Sequence, residues 1–314
     1  HLGATTDSRI VSARVEYLKL HGYNNIAILE SSWVGDSTKR AYRACGYEDI
    51  SKKYDIPLID LKEDSYTAYG DKPTINICDT AMKVDFLINI PVLKAHCQTK
   101  LTCALKNLKG CIPDKEKRRF HTIGLHEPIA WLNKFLKSHL VIVDGIIGDL
   151  TFEEGGTPVS MNRIIMGTDP VLIDSYAAQL IGYSKEDIEY TCIAEELGVG
   201  STDLYEAKIL ELNDGKVGID MEQGRIKLEY LSKYIYDDNA CSACYGSLMH
   251  ALERIREKGL LDSMTNKIYI GQGYKGQEVK GIGIGSCTRN AKVYLRGCPP
   301  SAKDMVDFLI EKNT

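Results

Sequence analysis

Hydrophobic positions along the chain follow two rhythms. Val11, Val15 and Leu18 recur at helical spacing after Thr5-Thr6-Asp7, which predicts a capped helix stopped by Gly22. Between such stretches lie short apolar runs that read as strands, at 25–29, 57–61, 74–77, 86–90, 140–143 and 162–166. The run at 86–90, bounded by Asp85 and Pro91, reads as a central strand, and 140–143 as another that ends in Asp144-Gly145. Helices are predicted over 37–45 and 128–137, from Asp169-Pro170 to Gly182, and over 185–197. Strands alternating with helices imply an α/β fold, a mostly parallel sheet with helices on both faces, filling residues 1–204.

The period then drops to two. Segments 208–212, 217–221 and 226–230 alternate apolar and polar residues around Asn213-Asp214-Gly215 and Gln223-Gly224. They predict a small antiparallel meander within a connector at 205–236. From 237 the α/β rhythm resumes, with a helix after Cys244, strands at 267–270, 281–284 and 292–295, and a last helix after Pro300. This tail, 237–314, is expected to be a second, smaller α/β domain.

Four of the ten cysteines fall in that tail: Cys241 and Cys244 at CxxC spacing, then Cys287 and Cys298, the last followed by Pro299. Each is expected at a helix start or strand end, where α/β sheets place ligands. Helix N-termini favour negative thiolates. Four thiolates converging on one point suit a 4Fe–4S cluster, with a structural zinc as the alternative. Cys97, Cys103 and Cys111 are spaced too widely for one metal site without help, and Cys45, Cys78 and Cys192 read as buried apolar residues.

Net charge is −4 with pI near 6.0, so the molecule as a whole has no electrostatic case for nucleic acid. No apolar run reaches membrane-span length and no signal peptide opens the sequence, so a cytoplasmic, reducing setting is expected, without a membrane. Against that acidic background, 94–121 carries eight Lys and Arg residues against Asp114 and Glu116. Lys94 and His96 follow the apolar strand directly, and Asp144 and Asp169 follow others, so all should reach one sheet edge. A cationic pocket of Lys94 and Lys106 with His96 or His121 as proton carrier suits a small carboxylate or phosphate. The 115–119 charge run also reads as a solvated loop.

Two resemblances sharpen these readings. INIPVLKAH, then T-x-x-LKNLKG-x-IPD-x-EKRRFH, LVIVDGI and GTDPVLIDSYAAQLIG occur in an order that resembles the proteins catalogued as domain of unknown function 362, over about residues 1–200. The resemblance implies motif positions at Lys94, His96, Thr102, Lys106, Asn107, Gly110, His121, Asp144, Gly145, Asp169 and Asp174, and 4Fe–4S clusters in an attached domain. Many members attach tandem ferredoxin-like cysteine motifs, whereas here the quartet is dispersed. Gly285-Ser286-Cys287 followed by Gly297-Cys298-Pro299-Pro300 is similar to the cluster-binding half of nickel–iron hydrogenase small subunits and the related complex I subunit. That similarity covers about the last 70 residues.

The function expected is that of a 4Fe–4S protein, an oxidoreductase or electron carrier acting on a small anionic substrate or a redox partner protein. The alternatives are a non-redox lyase or isomerase, or a structural-zinc protein using the Lys/His pocket. Nothing in the sequence fixes the oligomeric state.

Overall fold

A computed structural model describes residues 3–149, 158–212 and 229–313. Their contacts group into two units, His1–Phe120 with Leu125–Met221, and His121–Gly124 with Glu222–Thr314. The fold is mixed α/β, with parallel sheets, helices and a small antiparallel pair.

In the first unit, Asp7 caps α1 (Ser8–Leu20) by accepting from the Arg9 N–H. Val11 and Val15 of α1 pack with Ile50 and Ile56. β1 (Ile28–Glu30) is followed by α2 (Thr38–Ala44), capped by the Ser37 hydroxyl, and by α3 (Tyr47–Tyr54), which the sequence reading lacked. β2 (Leu58–Asp60) then returns parallel to β1. The first run thus starts later than its apolar pattern, where Ile28 N–H finds the Pro57 carbonyl. β3 (Tyr66–Tyr69), also without a sequence signal, pairs antiparallel with β4 (Ile75–Cys78), and α4 (Asp79–Lys83) follows.

The larger sheet is built on one long strand. Its members are β5 (Ile88–Asn89), β6 (Val92–His96) and β7 (Lys100–Thr102), followed by α5 (Ala104–Asn107), α6 (Asp114–Ile123) and α7 (His126–Phe135). β8 (Leu140–Asp149), β9 (Pro158–Gly167), α8 (Pro170–Leu180) and α9 (Glu189–Glu196) complete the unit. β5 and then β6 pair in parallel with successive parts of β8, while β9 lies antiparallel on its other side and β7 antiparallel beside β6. The expected central strand at 86–90 is therefore only the first half of an interrupted one. Pro91 has no N–H to give the ladder, and Phe86 is 57% exposed.

Three further expectations change. Asp144-Gly145 lies inside β8 and not beyond its end. The 185–197 helix is split: a Ser184/Asp187 capping box closes a 3-10 turn at Lys185–Asp187, and Ile188, outside helical geometry, separates it from α9. The 115–119 charge run is no solvated loop, because it forms part of α6 with Glu116 and Lys117 buried. The core gathers Leu93 and Leu101 from the hairpin, Val141 and Val143 from β8, and Ile129, Leu132, Val171 and Ala177 from helices. Segment 208–212 has no regular secondary structure, and the other two meander strands fall outside the described residues except for their last positions, 229–230, which are helical.

The second unit has a parallel sheet in the order β10 (Ile235–Asp237), β11 (Ile268–Ile270), β12 (Ile282–Ile284), β13 (Val293–Leu295). α10 (Ser242–Glu257) follows β10 and packs on α11 (Ala302–Asn313), which follows β13. Ile268, Ile270, Ile282 and Ile284 are buried, as are Leu248, Leu252 and Ile255 of α10 and Met305 and Leu309 of α11. Only β12 is buried throughout; Tyr236, Tyr269 and Tyr294 of its neighbours are less buried.

Candidate functional site

Because β10 to β13 are all parallel, their carboxyl ends share one edge, and each cysteine of the quartet follows one of them. Cys241 occupies the N-cap position of α10, and Cys244 stands one turn in, its N–H donating to the Cys241 carbonyl at 2.9 Å. The helix thus begins before Cys244 and not after it. Cys287 lies in the 3-10 turn Ser286–Thr288 after β12, and Cys298 follows β13. Gly285 N–H donates to the Leu295 carbonyl and Ser286 N–H to the Gly297 carbonyl, tying the last two loops together. Gly285 has φ +88°, the backbone conformation that favours glycine, while a Cβ there would make only ordinary contact with Cys244 Sγ at 3.4 Å.

Cys298 is exposed and the other three are half-buried. Burial, and next the neighbouring Cys241, Cys287 and Cys298, push the Cys244 thiol up to about 12. Cys241 is raised by burial and by Cys287 and Cys298, with Lys275 opposing. Cys241 and Cys244 thus feel the charge of Cys287 and Cys298, and a thiolate set there needs a cation to compensate it. Among the described residues no three His, Cys, Asp or Glu side chains stand close enough to close on a single ion. Of the three lone cysteines, Cys78 is buried as expected, whereas Cys45 and Cys192 are only half-buried.

In the first unit the β6–β7 hairpin sorts its residues by face. Lys94 stands opposite Thr102 and His96 opposite Lys100, so all four project from one face, while Leu93, Ala95 and Leu101 point into the core. Lys106, buried on α5, donates from Nζ to Thr102 Oγ1 at 2.8 Å. Lys94 Nζ donates to the Ala4 carbonyl at 2.9 Å, and Lys100 Nζ meets Asp187 at 2.7 Å. His96 Nδ1 accepts from Gln98 and Thr99 N–H, both at 3.1 Å, which puts the proton of the neutral ring on Nε2. His126 joins this group electrostatically. Burial lowers its pKa, Glu189 at 3.7 Å opposes that, and Lys100 and Lys106 lower it further.

The remaining expected residues serve elsewhere. Asn107 donates to Asn89 Oδ1, and Asn89 to the Ala104 carbonyl, an internal amide chain that holds α5. His121 belongs with 121–124 to the second unit's contacts. Asp144 accepts from Asp7 N–H at 2.7 Å and Ile146 N–H at 3.1 Å, tying the start of α1 to β8. It lines a cleft of about 380 Å³ with Thr5, Thr6, Asp7, Ser8 and Cys45. Asp169 caps α8 through Val171 and Leu172 N–H. Asp174, fully buried, accepts from Ala104 and Leu105 N–H and so caps α5, the helix that carries Lys106. Burial lifts its carboxyl to about 7 against those hydrogen bonds.

Residues 1–179 match the family described as Domain of unknown function (DUF362). The chain belongs to this family. It is also 27% identical over 169 residues to thylakoid-associated protein sll1697 of Synechocystis sp., an alignment covering 50% of this chain and 51% of the relative. The chain thus spans about half the length of that relative. No described helix is long and apolar enough to cross a membrane. The DUF362 match contains the cationic hairpin; the quartet lies beyond it.

The DUF362 region also holds a residue that the sequence reading passed over. Glu30 closes β1 and accepts from Ser31 N–H at 2.7 Å. The residue is exposed, although protein atoms crowd the carboxyl closely enough to desolvate it. Desolvation raises its carboxyl, with Lys117 and then Lys94 opposing. Buried Lys117 spends its ammonium on the Ser31 and Ser32 carbonyls and the Ser31 hydroxyl, fixing the loop after β1. A Cβ on Gly110 would come 2.5 Å from Glu30 Oε1. The only sequence signal was an acid directly after an apolar run.

Proposed function

We propose that the chain is an iron–sulfur protein of oxidoreductase or electron-transfer type, with Cys241, Cys244, Cys287 and Cys298 as ligands of a 4Fe–4S cluster. The observation that carries this reading is the gathering of four thiols at the carboxyl edge of one parallel sheet, with one at the N-cap of α10 and one in its first turn. The donor set fits the group: soft thiolates, mutually repelling until a cation compensates them, beside a helix N-terminus that favours negative charge. When bound, such a cluster supplies one-electron transfer. All ten cysteines are free thiols, which supports a reducing compartment such as the cytoplasm.

The chain's own residues supply the rest. Lys94 and Lys106, joined through Thr102, would neutralise a carboxylate or phosphate on the hairpin face. His96, its Nδ1 engaged by two backbone N–H groups, would give or take a proton at Nε2. That face equally favours a second reading, a non-redox lyase or isomerase, or a structural-zinc protein, using the Lys/His pocket.

Anaerobic purification with iron, acid-labile sulfide and zinc analysis separates the two. A brown protein with about four irons and four sulfides per chain is expected. A colourless protein with one zinc from the same preparation would overturn the redox reading.

A further inference from the structure

Exposed arginines in this protein are mostly spent. Arg9, Arg40, Arg43, Arg119, Arg254 and Arg256 each pair with a carboxylate. Arg289 and Arg296 do not: both are exposed, and among the described residues neither has a hydrogen-bond or ion-pair partner. Both stand at the cysteine edge. Arg289 directly follows the turn that holds Cys287, and Arg296 lies two residues before Cys298, the one exposed thiol of the quartet. Lys275, exposed after β11, extends the same edge, and its charge reaches Cys241.

Two acids of this edge lie at the opposite end of the strand order, and a third, Asp304, is exposed in the first turn of α11 after Cys298, where it accepts from the Ser301 hydroxyl. Asp237 ends β10 and accepts from Ala240 N–H at 2.8 Å, and the Asp238 carboxylate packs over Gly273. Committed carboxylates thus stand at β10 and, as Asp304, after β13, whereas the guanidiniums at β12 and β13 are uncommitted. In a chain of net charge −4, a cationic corner around an exposed thiol is a local departure that requires its own account.

We infer that the Arg289–Arg296–Cys298 corner is the docking surface for an acidic electron-carrier protein. This rests on the cluster reading above. Unpaired guanidiniums attract carboxylates before contact and pair with them bidentately on contact. Cys298, the exposed thiol of the quartet, stands at this corner, so a carrier docked there would face a residue that would hold the metal group. Cys241, Cys244, Cys287 and Cys298 would hold the group, which when bound would supply one-electron exchange with such a carrier, with no bond formed or broken.

The test uses the full chain, purified anaerobically, with reduced acidic [2Fe–2S] ferredoxin and reduced acidic flavodoxin as probes. Binding is read by fluorescence anisotropy of the labelled carrier at low and at physiological ionic strength. Salt-sensitive binding is expected for at least one carrier, weakened roughly tenfold by R289E/R296E. A charge-matched control, K52E/K137E on exposed lysines elsewhere, should weaken it far less. Equal losses in both variants, salt-independent binding, or no binding would overturn the proposal. Arginine-dependent binding to vesicles of phosphatidylcholine and phosphatidylglycerol, without carrier binding, would overturn it in favour of a membrane surface. Iron and sulfide are measured on the same samples. A chain without iron removes the cluster reading and this proposal together, whereas an iron-loaded chain indifferent to the arginines removes only the docking surface.

Discussion

Asp174 is a carboxylate sealed in the core and held by the Ala104 and Leu105 N–H groups, and its energetics follow from that. It is held near 7 when folded against an ordinary 3.8, so the folded state binds its proton more tightly. Below 3.8 both states are protonated and the group contributes nothing to pH dependence. As pH rises from 3.8 to about 7 the unfolded chain gives up the proton first, so stability falls, and above about 7 the loss is constant. Asp174→Asn removes this titration. The difference between wild-type and variant stability, from denaturant melts, should slope across that window and be flat outside it. Lys117 presents the opposite problem, a buried ammonium whose hydrogen bonds all go to the loop after β1. Lys117→Ala leaves those carbonyls without a donor and should cost about 2–4 kcal/mol in the same measurement. Neither role was legible beforehand. A lone acid in an apolar helix and a lysine within a charge run look alike whether buried or solvated, because burial is decided by what packs over them.

At the scale of elements, the cysteine loops depend on backbone freedom as much as on sulfur. Gly285 holds a positive φ of +88° beside Cys244. Gly285→Ala should lower iron incorporation severalfold while the far-ultraviolet circular dichroism stays that of the wild type, since the strained position lies outside the strands. Loss of both iron and secondary structure would contradict this account. Caps and stops were well marked in the sequence: Asp7, Ser37 and Asp169 each head a helix as their side-chain chemistry requires. Strand extents were not. β8 continues through Asp144-Gly145 because β9 and β6 both pair with it there, and the 86–90 run is cut by Pro91 into two pieces that share a neighbour. Apolar pattern records burial, whereas strand length is set by the partner.

For the whole molecule, the two units have separate cores, and the second rests on four three-residue strands. So small a sheet gains from a bound metal group, because ligand binding to the folded state adds directly to its stability. Calorimetry of the full chain should therefore resolve a transition that moves to lower temperature when iron is chelated, and another that does not move. A single transition indifferent to chelation would argue that the thiols hold no structural metal.

By itself the sequence determined the α/β class, most helix starts, the tail's three apolar strands, the DUF362 kinship and the fact that four thiols and a run of cations need explaining. Each of these is written locally, in a cap, a period or a spacing. The tertiary structure alone decided which of those residues meet. Parallel pairing carried Cys287 and Cys298 to the edge where Cys241 and Cys244 begin a helix, and hairpin register put Lys94 and His96 on one face with Lys100 and Thr102. It also withdrew Asn107 and Asp144 into supporting hydrogen bonds, and raised Glu30 and Arg296 from unremarked residues to candidates. The reason is physical: propensity and periodicity act within a few residues, whereas register, burial and charge pairing are fixed by partners far away in the chain.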